Sequence, residues 1–256
     1  MNKRNWIVCL FLILCVMGKA QEYIGTSGLI HVPSAEMLPA GTARIGAFFL
    51  SKESVPDNIA FRENSGTAGI KYNTFNHFLS IAPFSWIELA YPCPFEKGHK
   101  NMDKTQPVGY YYKDRFFSIK LRLLKEGQWH PAIAIGANDP FRHYNDHSDD
   151  YKYFMNFYLA ATKHLDFKGH ELGIHLAYRY YPSEYNKKWQ GVVGGITYRP
   201  SFAKNLRGIV EYTGNDVNIG VDYYLWKLLF LQASLQNGKY FSGGIMLQVQ
   251  LGDLKK

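Results

Sequence analysis

The chain has 256 residues and a formal charge of +8, with 46% hydrophobic, 20% charged and 16% aromatic residues, and this length suits one domain or at most two. A mean hydropathy of −0.24 is too polar for a protein that crosses a membrane with helices. It is compatible with a β-barrel, in which only every second residue meets lipid. Abundant Tyr, Phe and Gly indicate short strands and turns rather than helices.

The N-terminus has the pattern of an export signal. The basic pair Lys3-Arg4 precedes an apolar run over residues 6–17, and the small residues Gly18 and Ala20 follow it. This pattern predicts a signal peptide over residues 1–20 that is cleaved from the mature protein. The apolar run is shorter than the roughly 20 residues that a membrane-spanning helix needs.

Lipid attachment at Cys15 is the alternative to this cleavage, but the bulky Leu14 just before the cysteine argues against it. Cleavage after residue 20 removes three basic residues and two cysteines, which leaves a charge of +5 and Cys93 alone. A single cysteine cannot form an internal disulfide. The fold must therefore depend on burial and backbone pairing.

Residues 21–41 do not have the pattern of a central strand. Pro33 and Pro39 cannot donate a ladder hydrogen bond, and Gly25, Gly28 and Gly41 permit tight turns. We expect a periplasmic N-terminal segment over residues 21–41 that tucks against or into the barrel predicted below.

The rest of the chain alternates apolar and polar residues with a period of two. In residues 217–225 the odd positions are apolar, whereas Asn218, Gly220 and Asp222 lie on the other face. A strand separates these two faces, whereas a helix would mix them. Stretches of this kind predict about twelve strands, near residues 42–51, 67–82, 85–93, 115–124, 130–138, 151–162, 169–181, 190–199, 205–213, 216–225, 228–236 and 240–251.

The connections between these strands alternate between long and short over most of the chain. Outer-membrane barrels combine short periplasmic turns with longer extracellular loops, and their strand ends carry aromatic girdles. Tyr and Trp residues, such as Trp86, Trp129 and Trp226, lie near the predicted strand ends. The sequence therefore predicts an all-β fold, a transmembrane antiparallel barrel over residues 42–256 in the outer membrane, with a soluble secreted β-sandwich as the alternative.

The polar faces of the predicted strands assign a set of side chains to the lumen, and the set is more basic than acidic. One interpretation is a lumen that favours anionic solutes such as acidic polysaccharide. The other, which we favour, is that opposite charges pair across a narrow barrel and fill it. The predicted lumen residues are Arg44, Lys120, Arg122, His175, Arg179, Arg199, Arg207, Glu211, Asp222, Gln248 and Gln250.

No motif in the sequence predicts a catalytic, cofactor or metal site. A Gly-x-Ser-x-Gly motif is absent, and the strand residues Ser118 and Ser234 have no evident base. His143 and His147 lie in a stretch rich in Asn and Asp, which we interpret as a solvated loop rather than a metal site. The lack of a long basic run argues against nucleic acid as a partner.

The opening of the mature chain resembles a known family. Residues 25–35 read GTSGLIHVPSA and residues 38–46 read LPAGTARIG, similar to the opening of YjbH-like outer-membrane proteins, which are labelled as exopolysaccharide biosynthesis proteins. Residues 117–127, 131–139, 194–198 and 210–212 also resemble that family, so the similarity covers most of residues 23–251. The chain departs from it at Asp139-Pro140-Phe141, where the family often has Gly-Thr after the Asp, and it does not end on an aromatic residue.

The resemblance implies a non-enzymatic outer-membrane protein that serves exopolysaccharide or capsule export or assembly. The implied partners are outer-membrane lipid, polysaccharide and proteins of an export machinery, and no cofactor is expected. A passive pore, a barrel lipid hydrolase and the soluble β-sandwich remain as alternative functions.

Overall fold

The structure, a computed structural model, describes residues 21–56, 71–103, 105–140, 153–182, 184–226 and 228–252. The predicted signal peptide and the His143/His147 stretch lie outside these residues. Within them, none of the helices has the length and apolar character needed to cross a membrane. The helical elements described are short 3-10 turns at Lys52–Ser54, Lys100–Met102 and Glu184–Trp189.

Strands make up most of the described chain. They are β1 (Thr42–Leu50), β2 (Thr74–Phe84), β3 (Ile87–His99), β4 (Val108–Lys113), β5 (Ser118–Leu124), β6 (Ala132–Asn138), β7 (Asn156–Phe167), β8 (His170–Tyr180), β9 (Gly191–Arg199), β10 (Leu206–Tyr212), β11 (Val217–Leu225), β12 (Leu229–Gln236) and β13 (Tyr240–Gln250).

Twelve of these strands form a closed antiparallel barrel. Each strand pairs with the next one along the chain, except that β3 pairs with β5 and that β4 pairs only with β3. The ring closes between β1 and β13, from Thr42↔Gln250 to Phe49↔Gly243. The predicted all-β barrel of about twelve strands is confirmed. A single closed sheet in the described chain replaces the two packed sheets of a β-sandwich, so that alternative is wrong.

The predicted loop over residues 94–114 is wrong, because β3 continues to His99 and β4 folds back onto it. β3 continues through two prolines, Pro92 and Pro94. Pro92 and Pro94 still pair with β2, and their carbonyls accept hydrogen bonds from Phe116 and Asp114 on the other side. Their missing N–H groups face that side, and regular pairing of β3 with β5 stops at Ala90.

The predicted end of the sixth strand at residue 162 is also wrong, because the corresponding strand of the structure, β7, runs on to Phe167. Lys163 and His164, which the predicted strand bounds leave in a connection, pair with Ile174 and Gly173 of β8. The actual turn is the pair Lys168 and Gly169, both with positive φ, as a two-residue hairpin turn requires. β2 likewise begins at Thr74 rather than near residue 67.

The two ends of the barrel differ in their connections. One end, here called the turn rim, has the connections 85–86, 125–131, 168–169, 200–205 and 226–228. The other end, the loop rim, has the connections 51–73, 139–155, 181–190, 213–216 and 237–239, and the segment 100–117 that contains β4.

The outer wall of the barrel is apolar. In β11, Ile219 is 56% exposed on the outer face whereas its neighbour Asn218 is 2% exposed on the inner face. This alternation recurs around the ring, because neighbouring side chains on a strand point to opposite faces. Large exposed aromatic side chains at the turn rim are Phe84, Trp86, Trp129, Phe167, Phe202 and Trp226.

Candidate functional site

The lumen of the barrel is occupied by a segment of the same chain that precedes β1. Every residue from Gln21 to Leu38 is buried, and we call residues 21–38 the lumen segment. The isolated bridges Gln21↔Ser27 and Gly28↔Pro33 fold it into two successive loops. Gly25 sits at φ +100°, and a Cβ there would lie 2.9 Å from the ring of Phe78, so both backbone and space require glycine at this turn.

Glu88 of β3 and Lys120 of β5 are directly opposite each other on neighbouring strands. Both side chains bind the lumen segment. The Glu88 carboxylate accepts from the Ser27 amide (2.8 Å), the Ser27 hydroxyl (2.7 Å) and the Leu38 amide (2.6 Å). Lys120 Nζ donates to the carbonyls of Ser27 (2.8 Å) and Glu36 (2.5 Å). Because donor or acceptor is charged in each bond, these are among the stronger hydrogen bonds available to a protein.

Glu211 of β10 binds the second loop of the lumen segment. Its carboxylate accepts from three consecutive backbone amides, those of Ile30 (2.9 Å), His31 (2.8 Å) and Val32 (3.1 Å). Arg179 of β8 donates to the carbonyl of His31 at 2.7 Å. An extended loop without regular partners thus has its buried backbone groups satisfied by charged side chains of the wall.

Glu36 is the centre of a chain of ionisable side chains that begins at Glu126 and ends at Asp222. One oxygen lies 3.2 Å from Arg207 Nη1, and the other lies 3.2 Å from His164 Nε2. Arg207 also pairs with Asp222 of β11 at 2.8 Å, and His164 pairs with Glu126 at 2.7 Å. The lumen segment therefore supplies one carboxylate to a network whose other members belong to the wall.

The remaining predicted lumen residues occupy other parts of the interior. His175 lies between the hydroxyls of Thr162 and Thr197, 3.1 Å from each. Arg44 contacts Gln21, Gln248 and Tyr224. Arg199 pairs with Glu171 at 3.2 Å, and Gln250 donates to the carbonyl of Ala40.

Arg122, Gln248 and Gln250 are only half-buried, unlike the other predicted lumen residues. Arg122 lies at the turn rim, where its Nη2 donates to Ser85 Oγ at 3.2 Å. The structure thus brings Arg44, Lys120, Arg179, Arg207 and Glu211 onto the lumen segment and leaves Arg122 apart from it.

The sequence analysis missed three acidic residues of this site, Glu22, Glu36 and Glu88. Alternation was a usable signal for Glu88, because Ile87 and Leu89 on either side face outward while Glu88 is 1% exposed. Glu22 and Glu36 belong to the lumen segment, where no periodic pattern marks an inward face. Among the described residues no group of three or more His, Cys, Asp or Glu is placed to hold a metal ion.

Comparisons with known proteins identify relatives of this chain. The sequence profile of the YjbH family, described as exopolysaccharide biosynthesis protein YbjH, matches residues 20–181. The uncharacterized lipoprotein YjbH of Escherichia coli K12 is 24% identical over 289 residues, covering 93% of this chain and 36% of the relative. This chain therefore spans little more than a third of that protein's length.

Two solved outer-membrane proteins are among the structural matches to this chain. The COG4313 outer membrane channel from Pseudomonas putida F1 has a TM-score of 0.42 at 12% identity, covering 86% of this chain and 98% of that one. Outer membrane phospholipase A from Escherichia coli has a TM-score of 0.36 at 11% identity, covering 84% and 94%. The family match includes the lumen segment and the strands β3, β5 and β8, which bind it through Glu88, Lys120 and Arg179. The chain belongs to the YjbH family of exopolysaccharide-associated proteins.

Proposed function

We propose that this protein is an outer-membrane barrel, closed by its own N-terminal segment, with a non-enzymatic role in exopolysaccharide export or assembly. The observation that carries the proposal is the fully buried lumen segment inside a barrel with an apolar outer wall. The polysaccharide link comes from the family to which the chain belongs.

The outer wall supports placement in a membrane. A soluble protein rarely exposes a continuous apolar surface, whereas an outer-membrane barrel presents an apolar band flanked by aromatic side chains. Trp129 and Phe202 are 89% and 86% exposed at the turn rim, where aromatic rings suit the headgroup level of a bilayer. In this proposal the turn rim faces the periplasm and the loop rim faces outward.

The filled lumen argues against a passive pore. Leu29 and Val32 of the lumen segment are 0% exposed. Their environment is a packed apolar cluster that also contains Ile209 and Val193 of the wall. A passive pore needs a continuous water path, and this apolar packing occupies part of the lumen. The arrangement suits a scaffold for assembly, or an exit that opens only with a partner from an export machinery.

The histidine geometry argues against a lipid hydrolase. In the described chain, Ser201 and His170 form the best Ser–His pair, with Oγ 3.2 Å from Nε2. His170 Nδ1 faces the backbone amide of Ser201 and the hydroxyl of Tyr198. Accepting from the amide places the proton of a neutral ring on Nε2, so that nitrogen donates to Ser201 and is not a general base.

Membrane fractionation and gel mobility test the placement first. We expect the full-length protein to require detergent and to migrate faster unboiled than boiled, because a folded barrel resists the detergent of the gel. Soluble protein without a heat-dependent shift would contradict the membrane placement.

A deletion strain tests the role in polysaccharide production. We expect less surface exopolysaccharide after deletion, restored by the wild-type gene. Ser201→Ala tests the non-enzymatic part of the proposal and should restore the polysaccharide equally well. Unchanged polysaccharide in the deletion strain would reject the role, and failure of Ser201→Ala in a folded barrel would favour catalysis.

A further inference from the structure

A cleft outside the barrel, at the loop rim, combines lysines with aromatic rings. Its volume is about 310 Å³. Lys97 is on the outer face of β3, and its Nζ lies 5.8 Å from the ring centroids of both Tyr72 and Tyr110. The side chains that carry the argument are Phe49, Lys52, Lys71, Tyr72, Lys97 and Tyr110.

The cleft has the charge that an anion requires. Lys52, Lys71 and Lys97 contribute three ammonium groups, and among the described residues no carboxylate lines it. A fourth lysine, Lys113 of β4, lies just below, with its Nζ 5.2 Å from the centroid of the Phe95 ring. Aromatic faces attract ammonium groups, and several ammonium groups at one place favour the approach of a negatively charged group.

The cleft continues into the apolar wall. Phe75 packs on Tyr110 with ring centroids 5.7 Å apart and on Phe49 at 5.4 Å, so the aromatic floor of the cleft is part of the outer surface of β1 and β2. Four residues further along β2, about 13 Å at the usual rise of a strand, Leu79 borders an apolar groove. The groove has a volume of about 710 Å³, and its outward side chains include Leu79, Ile81, Leu89, Tyr91, Phe117 and Ile119.

The groove exists because the wall is irregular at this point. Regular pairing between β3 and β5 covers only Ile87 to Ala90, and Pro92 and Pro94 follow without N–H donors. Tyr91 and Phe117 flank the place where the two strands part, with ring centroids 5.0 Å apart. A lysine-rich cleft at the loop rim and an apolar groove nearer the turn rim thus lie on the same side of the barrel.

We propose that this side of the barrel binds a phosphorylated glycolipid, with its phosphate groups in the lysine cleft and an acyl chain along the groove. The inference rests on the proposed membrane placement and deepens it by naming a lipid partner. A soluble acidic polysaccharide would match the charge of the cleft but not the apolar groove. The lysine cleft at the loop rim also contains Tyr72 and Tyr110. Aromatic rings of an outer-membrane barrel lie at the headgroup level of the bilayer, where the phosphate groups of lipids are found.

Lipid binding by the purified full chain in detergent micelles tests the proposal. The probe is diphosphorylated lipid A, compared with the same lipid after removal of its phosphates, and the readout is lipid retained in native mass spectrometry. We expect preference for the phosphorylated lipid and about fivefold weaker binding for each of Lys52→Gln and Lys97→Gln. Lys239→Gln removes the same charge from an exposed turn of the loop rim outside the cleft and should leave binding unchanged.

Three outcomes would overturn the inference. They are equal binding of both lipids, equal loss in the Lys97 and Lys239 variants, and displacement of the lipid from the cleft by soluble alginate that binds as tightly. The last result would assign the cleft to polysaccharide instead. The heat-dependent gel shift distinguishes this failure from a failure of the proposed function. A protein that shows the shift but binds both lipids equally would disprove the lipid site and leave the membrane placement standing.

Discussion

Arg207 of β10 and Glu36 of the lumen segment form an ion pair of 3.2 Å in which each side chain is only 1% exposed. Arg207 also forms an ion pair with Asp222 at 2.8 Å. One guanidinium is therefore paired with two buried carboxylates, those of Glu36 and Asp222. A buried charge that loses its partner is costly, because no solvent replaces the lost interaction. The lumen segment and the barrel wall therefore depend on each other for stability.

Arg207→Ala should destabilise the folded barrel by about 3–5 kcal/mol, the usual cost of breaking a buried ion pair from one side. The measurement is urea unfolding in detergent, followed by tryptophan fluorescence. Arg122→Ala is the matched control, since it removes the same side chain type from the turn rim, and it should cost about 0.5 kcal/mol. Equal losses in the two variants would contradict the network described here.

Glu211→Ala should release the second loop of the lumen segment, because it removes the acceptor of three consecutive amides. The measurement is maleimide labelling of Ser34→Cys in a background without Cys93, since Ser34 is 0% exposed in the folded chain. We expect at least about tenfold faster labelling when Glu211 is replaced, in line with the cost of unpaired buried amides.

Glu171→Ala is the control for this release. Glu171 pairs with Arg199, away from the backbone of the lumen segment, so its loss should leave the labelling rate of Ser34→Cys unchanged. Fast labelling before any wall residue is replaced would show that the segment leaves the lumen on its own.

The barrel strands were predictable because each one carries its own signal. β11 was expected at 216–225 and is Val217–Leu225, and β12 was expected at 228–236 and is Leu229–Gln236. In a barrel with an apolar outer wall, every second residue must be apolar, so alternation within about ten residues is sufficient. Where the wall is irregular, as at Pro92 and Pro94 of β3, the same signal failed.

The contacts of the lumen segment were not predictable in detail, because its partners are remote in sequence. Ser27 binds Glu88 across 61 positions, and Ile30 binds Glu211 across 181. Nothing local to residues 21–38 encodes those pairings. The prolines and glycines indicated only that the segment is not a central strand, and the charged wall residues indicated only that the lumen must contain partners for them.

Gly220→Ala should disturb the packing of the lumen segment against β11. A Cβ at Gly220 of β11 would lie 2.7 Å from Ile30 Cδ1 and 2.9 Å from the carbonyl oxygen of Ala233. Overpacking of this kind costs about 1–3 kcal/mol, measurable as a lower urea midpoint. Gly220→Ala should cost less in an Ile30→Ala background than in the wild type, because that background lacks the side-chain half of the clash.

Gly208→Ala on the neighbouring strand β10 is the matched control, since the nearest atom to its Cβ would be 3.9 Å away. It should change the urea midpoint little. If Gly220→Ala is equally harmless, or if Ile30→Ala adds a full further loss to it, the close approach of Ile30 to the wall is refuted.

The stability of the folded barrel should fall as the pH rises from 6.5 to 8, through Glu22 of the lumen segment. Burial raises the pKa of Glu22 from 4.5 to about 8, against the opposing charges of Arg179 and Lys120. Between these two values the folded protein keeps a proton that the unfolded chain has lost, so each pH unit removes up to about 1.4 kcal/mol of stability. Burial also lowers the pKa of His31 from 6.5 to about 3, which gives the opposite slope, and only below pH 6.5.

Glu22→Gln should therefore flatten the decline between pH 6.5 and 8, because the amide has no proton to lose. The measurement is urea unfolding of wild type and variant at half-unit steps of pH, compared as differences so that all other titrating groups cancel. His31→Asn is the control: it should alter the profile below pH 6.5 and leave the decline above it intact. A wild-type profile that stays parallel to that of Glu22→Gln across the whole range would mean that Glu22 is ionised in the lumen, with a partner at hand.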